Sequence, residues 1–216
     1  MRIVLAAAAL AVAFAGSAAT AATVGFEFGG GDNSGSSLVF NSGGVTVTVT
    51  SAIYNPTGNP SFIASGPSEV TQQSVNGLGV CSGFNRNGGC AGDNQQLDGN
   101  GLDELLIFTF SEAVSLLSID FRLEGFDNFD LLAGNSLAGL FRYIQNGILV
   151  NNGPNYVVPG FVGMASIFAI ANPNSNDQYR VGAFTVETAT VPVPAAGLML
   201  LAGLGGIAAM RRRKSV

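Results

Sequence analysis

Val45-Thr46-Val47-Thr48-Val49-Thr50 alternates without interruption. Successive side chains of an extended chain point to opposite faces, so this stretch sets Val on one face and Thr on the other, the pattern of a half-buried antiparallel strand. Outward from it, residues 23–28 alternate through Val24, Phe26 and Phe28. Residues 105–110, 116–123, 129–132, 140–145, 156–158, 166–171 and 179–188 read as further short strands, each bounded by Gly, Asn, Asp or Pro. No helical period lasts three turns between residues 23 and 190. Many short strands without intervening amphipathic helices predict an all-β fold, an antiparallel β-sandwich of jelly-roll type, with an open barrel as the alternative. Residues 56–100 are rich in Gly, Asn, Ser and Gln and are expected to form a long loop, the place to look for function.

Charge narrows the classes of function. The chain has 216 residues, with 9 Lys and Arg, 14 Asp and Glu, no His and no Trp. Between residues 23 and 190 four Arg stand against all fourteen carboxylates, a net charge of −10. Four scattered Arg cannot form the basic stripe that neutralises phosphates, so no nucleic-acid partner is expected. Without an imidazole, Ser-His-Asp and Cys-His mechanisms and His-containing zinc sites are excluded.

The two ends carry an address. Met1-Arg2, an apolar run over residues 3–16 and the small residues up to Ala22 read as a secretory signal peptide, with Ala19 and Ala21 forming the Ala-x-Ala site. Its partners are then the Sec translocon and signal peptidase. At the other end Val191-Pro192-Val193-Pro194-Ala195 opens an apolar stretch that runs to Met210, and Arg211-Arg212-Arg213-Lys214 follow at once. As helix, residues 191–210 would reach about 30 Å, a bare span, and the prolines shorten it. The terminal cations mark the cytoplasmic side, which leaves the acidic middle outside the inner face of the membrane.

The Val-Pro-Val-Pro-Ala motif, the short Ala/Gly/Leu-rich span AGLMLLAGLGGIAAM and the closing Arg-Arg-Arg-Lys together resemble the VPLPA-CTERM variant of the PEP-CTERM sorting tail. Val193 stands where that family has Leu. The resemblance covers residues 191–216 and implies a Gram-negative bacterial protein. Such a protein is exported, held transiently in the inner membrane, and cut near the proline motif by an exosortase-type membrane protease, ending on the outer surface or in the extracellular space. It also implies association with extracellular polysaccharide. By the logic of GPI-type signals, the mature protein would then keep no span. Residues 77–110, GLGVC…GDNQQLDGNGLDELLIFTF, are similar to sandwich ectodomains that carry such tails, which supports the fold and assigns no activity. The organisation expected is a signal peptide at 1–22, a secreted β-domain at 23–190 and the sorting tail at 191–216.

Within the secreted part, Cys81 and Cys90 are expected to pair, since the chain is exported and has no third cysteine. Asp93, Asp98 and Glu104 crowd carboxylates into a Gly-bearing loop, the oxygen-rich chemistry a Ca²⁺ ion takes, although the spacing is not that of an EF-hand. Plain turn chemistry is the competing reading of the same residues. No catalytic residue is assigned. The function expected is a non-enzymatic cell-surface or matrix protein. Two alternatives stand beside it: a secreted carbohydrate-active enzyme that uses paired carboxylates, and a surface subunit that self-associates through sheet edges.

Overall fold

In a computed structural model, Val45, Val47 and Val49 are buried and Thr46, Thr48 and Thr50 are half-buried, as the two-residue period requires. The structure describes residues 21–57, 62–84, 90, 93–99, 101–123, 128–137, 142–149, 155–159, 163–173 and 176–189, with backbone alone for Leu123 and 142–149. The signal-peptide and sorting-tail residues lie outside that set. Among the described residues the regular structure is entirely β, with no helix long and apolar enough to cross a membrane.

The strands are β1 (Thr23–Glu27), β2 (Asn33–Gly35), β3 (Ser37–Ser42), β4 (Val45–Tyr54), β5 (Ile63–Ala64), β6 (Glu69–Gln73), β7 (Gly77–Cys81), β8 (Leu97–Asp98), β9 (Glu104–Leu123), β10 (Asn128–Gly134), β11 (Arg142–Leu149), β12 (Asn155–Val157), β13 (Met164–Ala171) and β14 (Gln178–Thr188). All belong to one antiparallel hydrogen-bonded network, with the path β11-β10-β13-β9-β14-β7-β6-β2 and side branches at β1, β3, β4, β5, β8 and β12. Residues 105–110 and 116–123, expected as two strands, are one strand of 20 residues. The first half of β9 pairs with β4 and β13, and the second half with β14 and β12. Between the halves Ser111, Glu112 and Ala113 are exposed, and the ladder to β13 shifts register there. A bulge of that kind bends a strand without ending it.

The apolar run Leu105-Leu106-Ile107-Phe108 shows why β9 is central. Leu106 and Phe108 face the larger core, while Leu105 and Ile107 join a second cluster with Ala52, Tyr54, Leu132, Ile167, Ala169 and Ala171. A strand covered on both faces needs no polar alternation. The larger core is built on aromatic rings. Phe28, fully buried, has ring centroids of Phe40, Phe108 and Phe184 at 5.1, 5.6 and 5.4 Å. A second ring group joins Phe121 to Phe129 at 4.7 Å and Phe121 to Tyr179 at 5.2 Å.

The expected long loop at residues 56–100 is corrected in part, because β5, β6, β7 and β8 lie within it. These strands are two to five residues long, and β6 and β7 hold one another in a short antiparallel ladder. Gly77 and Gly79 make β7 possible. Gly77 has φ +83°, and a Cβ there would collide with the Val181 carbonyl on β14; a Cβ on Gly79 would collide with the Gln95 carbonyl. Backbone packed that closely on both sides admits glycine alone.

Candidate functional site

Cys81 ends β7 and is disulfide-bonded to Cys90, with the two Cα atoms 5.9 Å apart. Asp93 then folds the chain back. Its Oδ2 accepts the backbone N–H groups of Ser82 (2.7 Å) and Gly83 (3.2 Å), and its Oδ1 accepts that of Gln95 (2.8 Å). The last bond closes an Asx turn, and it holds Gln95 at φ +59°, a left-handed conformation that costs free energy in a residue other than glycine. Past the turn, the Val80 N–H donates to the Gln96 carbonyl, so the returning segment lies along β7.

Asp98 and Glu104 sit beyond that turn, and both are buried. The backbone N–H of Asp98 donates to Glu104 Oε2 at 3.0 Å, while Glu104 Oε1 is buried with no hydrogen-bond partner among the described residues. Burial pushes the Glu104 pKa up to about 8. The Asp98 N–H and the Ser82 hydroxyl pull it down, and the charges of Asp93 and Asp98 push it further up. A proton on Glu104 neutralises a carboxyl that water does not reach. Asn172, fully buried, ties the region to β13 and β14. Its N–H donates to the Glu104 carbonyl, and its Nδ2 donates to the carbonyls of Leu97 (3.1 Å) and Asp177 (2.7 Å). Nearby, Tyr54 Oη donates to Asp130 Oδ2 at 2.6 Å, and burial together with the Asp130 charge raises the pKa of Asp103.

The residues suggested for calcium therefore share a neighbourhood. Among the described residues, the group that brings three carboxylate or sulfur atoms within 4.8 Å of one another is Cys81, Cys90 and Asp93. Its sulfurs are joined to each other and offer no thiolate. Asp93, Asp98 and Glu104 do not form such a group, and both oxygens of Asp93 already accept backbone N–H groups. With three N–H groups on its two oxygens, Asp93 keeps little acceptor capacity for a calcium ion. Val191, Pro192, Val193, Pro194, Ala195, Arg211, Arg212, Arg213 and Lys214 lie outside the described residues.

Beside the disulfide, whose two cysteines help to line it, β2, β6 and the β6–β7 turn border an open groove of about 570 Å³, with Asp32, Glu69, Thr71, Gln73 and Asn76 also in its lining. Several of these groups are held in place by one another. Asp32 Oδ1 accepts the Ser74 N–H at 2.9 Å, Asn76 Nδ2 donates to Gln73 Oε1 at 3.0 Å, and Asn33 Nδ2 donates to Gln72 Oε1 at 2.9 Å. Among the described residues the groove presents amides, hydroxyls and two carboxylates beside Val75 and the disulfide, with no cation or aromatic ring. The sequence reading missed it because β2 and β6 were not seen as strands. The available signal was Glu69-Val70-Thr71-Gln72-Gln73, a polar β-compatible run standing directly before the Gly-Leu-Gly-Val strand.

No family model, no curated protein and no solved structure matches the chain.

Proposed function

We propose that the chain is an exported cell-surface or extracellular-matrix protein that associates with extracellular polysaccharide and performs no catalysis. In this reading residues 23–190 fold as a jelly-roll-like β-sandwich. Support for two packed layers comes from the bend in β9: Phe108, on the half paired with β4 and β13, meets Phe184 of β14, which pairs with the other half, with ring centroids 4.4 Å apart. The sorting motif at Val191–Ala195 and the cations at 211–214 would be read by an exosortase-type protease, with the span removed or retained at the membrane.

The amide-lined groove carries the reading. Its Gln and Asn side chains offer both donors and acceptors, Thr71 adds a hydroxyl, and Asp32 and Glu69 add acceptors, the mixture that hydroxyl-rich sugars engage. A domain with net charge −10 repels polyanions, so a neutral polysaccharide suits it. The paired-carboxylate alternative finds less support. Asp130 and Glu104 are each 1% exposed and not presented to a sugar chain, which leaves that alternative Asp32 and Glu69 in the groove, and Asp32 Oδ1 already accepts the Ser74 N–H.

The test is co-sedimentation of the exported protein with the producing cells' neutral polysaccharide, wild type against Gln73→Ala with Asn76→Ala. Weakening by about tenfold in the variant, or about 1.4 kcal/mol, with an unchanged melting temperature and no release of reducing sugar, is expected. Equal binding by the variant, or sugar release, would overturn the reading.

A further inference from the structure

We infer that β3 is a self-association edge, on which a second copy of this chain adds its own β3 in antiparallel register. This rests on different residues from the groove and stands or falls independently of it.

The first observation is an open ladder. β3 pairs with β4 along all six residues, Ser37↔Thr50 to Ser42↔Val45, with no register shift, and no described strand pairs with its other side. Alternate residues of such a strand turn N–H and C=O groups away from the sheet, and these are ready to accept another strand. Soluble proteins ordinarily guard edges of this kind with Lys, Pro, an inward charge or a bulge. Ser37-Leu38-Val39-Phe40-Asn41-Ser42 has none of these.

The second observation is charge, and it selects the occupant. Residues 33–68 include no Asp, Glu, Lys or Arg, a run of 36 residues in a domain of net charge −10. Two copies that meet along β3 bring no carboxylate against a carboxylate. Residues 131–176 also lack Asp and Glu, but the edge strand there, β11, begins with Arg142, a like charge for a second copy, whereas β3 and its flanks carry no charge of either sign.

The third observation is the match of the edge with itself. Leu38 and Phe40 point inward and pack against the core, and Val39 is 57% exposed between Ser37 and Asn41. A two-fold axis through Val39 sets Val39 against Val39 of the second copy and Leu38 against Phe40, so inward residues oppose inward ones and the exposed valines cover each other. A shift of one residue would oppose inward to outward side chains, and a shift of two would set Val39 against Ser37 or Asn41, so only this register lets the two valines cover each other.

The only two cysteines are paired, so one new cysteine gives the full chain a single free thiol. Val39→Cys, Val75→Cys and Val157→Cys each place it at a valine at least half exposed. With a short bis-maleimide, Val39→Cys should form covalent dimer at least about tenfold faster than the other two, because pre-association raises the effective thiol concentration. Alongside it, the wild type should sediment as a dimer at about 100 µM, and Val39→Lys as a monomer, since a buried like-charge pair costs several kcal/mol. Equal cross-linking at the three positions, or a wild type that stays monomeric, overturns the proposal.

Discussion

Residues 33–68 and the cluster of Asp93, Asp98, Glu104, Asp130 and Asp177 solve opposite problems on one sheet. The first stretch has no charge and is organised by apolar alternation, with Val45, Val47 and Val49 turned into the core and its edge strand left bare. The second buries Asp98, Glu104, Asp130 and Asp177 and satisfies oxygens with the Ser82, Gly83, Gln95, Asp98 and Asn128 N–H groups and the Tyr54 hydroxyl. Apolar burial is indifferent to pH, whereas a buried carboxyl is not. The stability of the neutral region should therefore follow side-chain volume, and that of the acidic region should follow proton concentration.

The largest effect is expected in the neutral core. Phe28→Ala removes a fully buried ring shared by Phe40, Phe108 and Phe184, and should cost about 3–5 kcal/mol by chemical denaturation, equally at pH 5 and pH 9. A cost that varied strongly with pH would break the contrast between the regions.

Glu104 supplies the opposite case. Its folded pKa of about 8 lies above its ordinary value of 4.5, so the folded state holds the proton more tightly than the unfolded chain does. Its stabilising contribution is full below about pH 4.5 and is lost as pH rises through about 8, by on the order of 5 kcal/mol at most. Glu104→Gln keeps the shape without the charge. It should flatten the fall in unfolding free energy between pH 5 and pH 9 and leave the variant the more stable protein at pH 9. An unchanged slope would show that Glu104 is not the titrating group. If millimolar Ca²⁺ removed the slope from the wild type, a cation rather than a proton would be neutralising the site.

The disulfide comes last. Replacing Cys81 and Cys90 by Ser opens a loop of nine-residue separation and should lower stability by about 3 kcal/mol in the chain-entropy account. The loss should be the same at both pH values, since Asp93 keeps its three N–H donors within the turn. A larger loss at high pH would couple the disulfide to Glu104.

How far the sequence was legible follows the same division. β1, β4, β13 and β14 were readable because Val, Phe, Ile and Thr alternate there with turn residues at the ends. The unity of β9 was not. Ser111-Glu112-Ala113 has the polarity of a turn and lies between the β4 ladder, which reaches Phe110, and the β14 ladder, which starts at Val114; only those flanking tertiary pairings join the halves into one strand. β7 was obscured by Gly77 and Gly79, which lower strand propensity and are required by backbone contacts that no local pattern reveals, and β6 by its polar run Thr71-Gln72-Gln73. The Cys81–Cys90 pairing was legible from the count of two cysteines together with the expectation of export. Asp93, Asp98 and Glu104 were singled out as one cluster, but their burial was not visible, since a carboxyl that caps backbone N–H groups and one that waits for a cation are written with the same letters. The groove was hidden because its residues converge from β2, β6 and a turn, about forty positions apart in sequence.

The most direct test of the account is a binding isotherm for the protein against the producing cells' neutral polysaccharide at low and high salt. Uncharged sugar held by amides and hydroxyls predicts saturable binding that salt barely changes and that Gln73→Ala with Asn76→Ala weakens about tenfold. Binding that collapses with salt, or that the groove variant leaves intact, would contradict it.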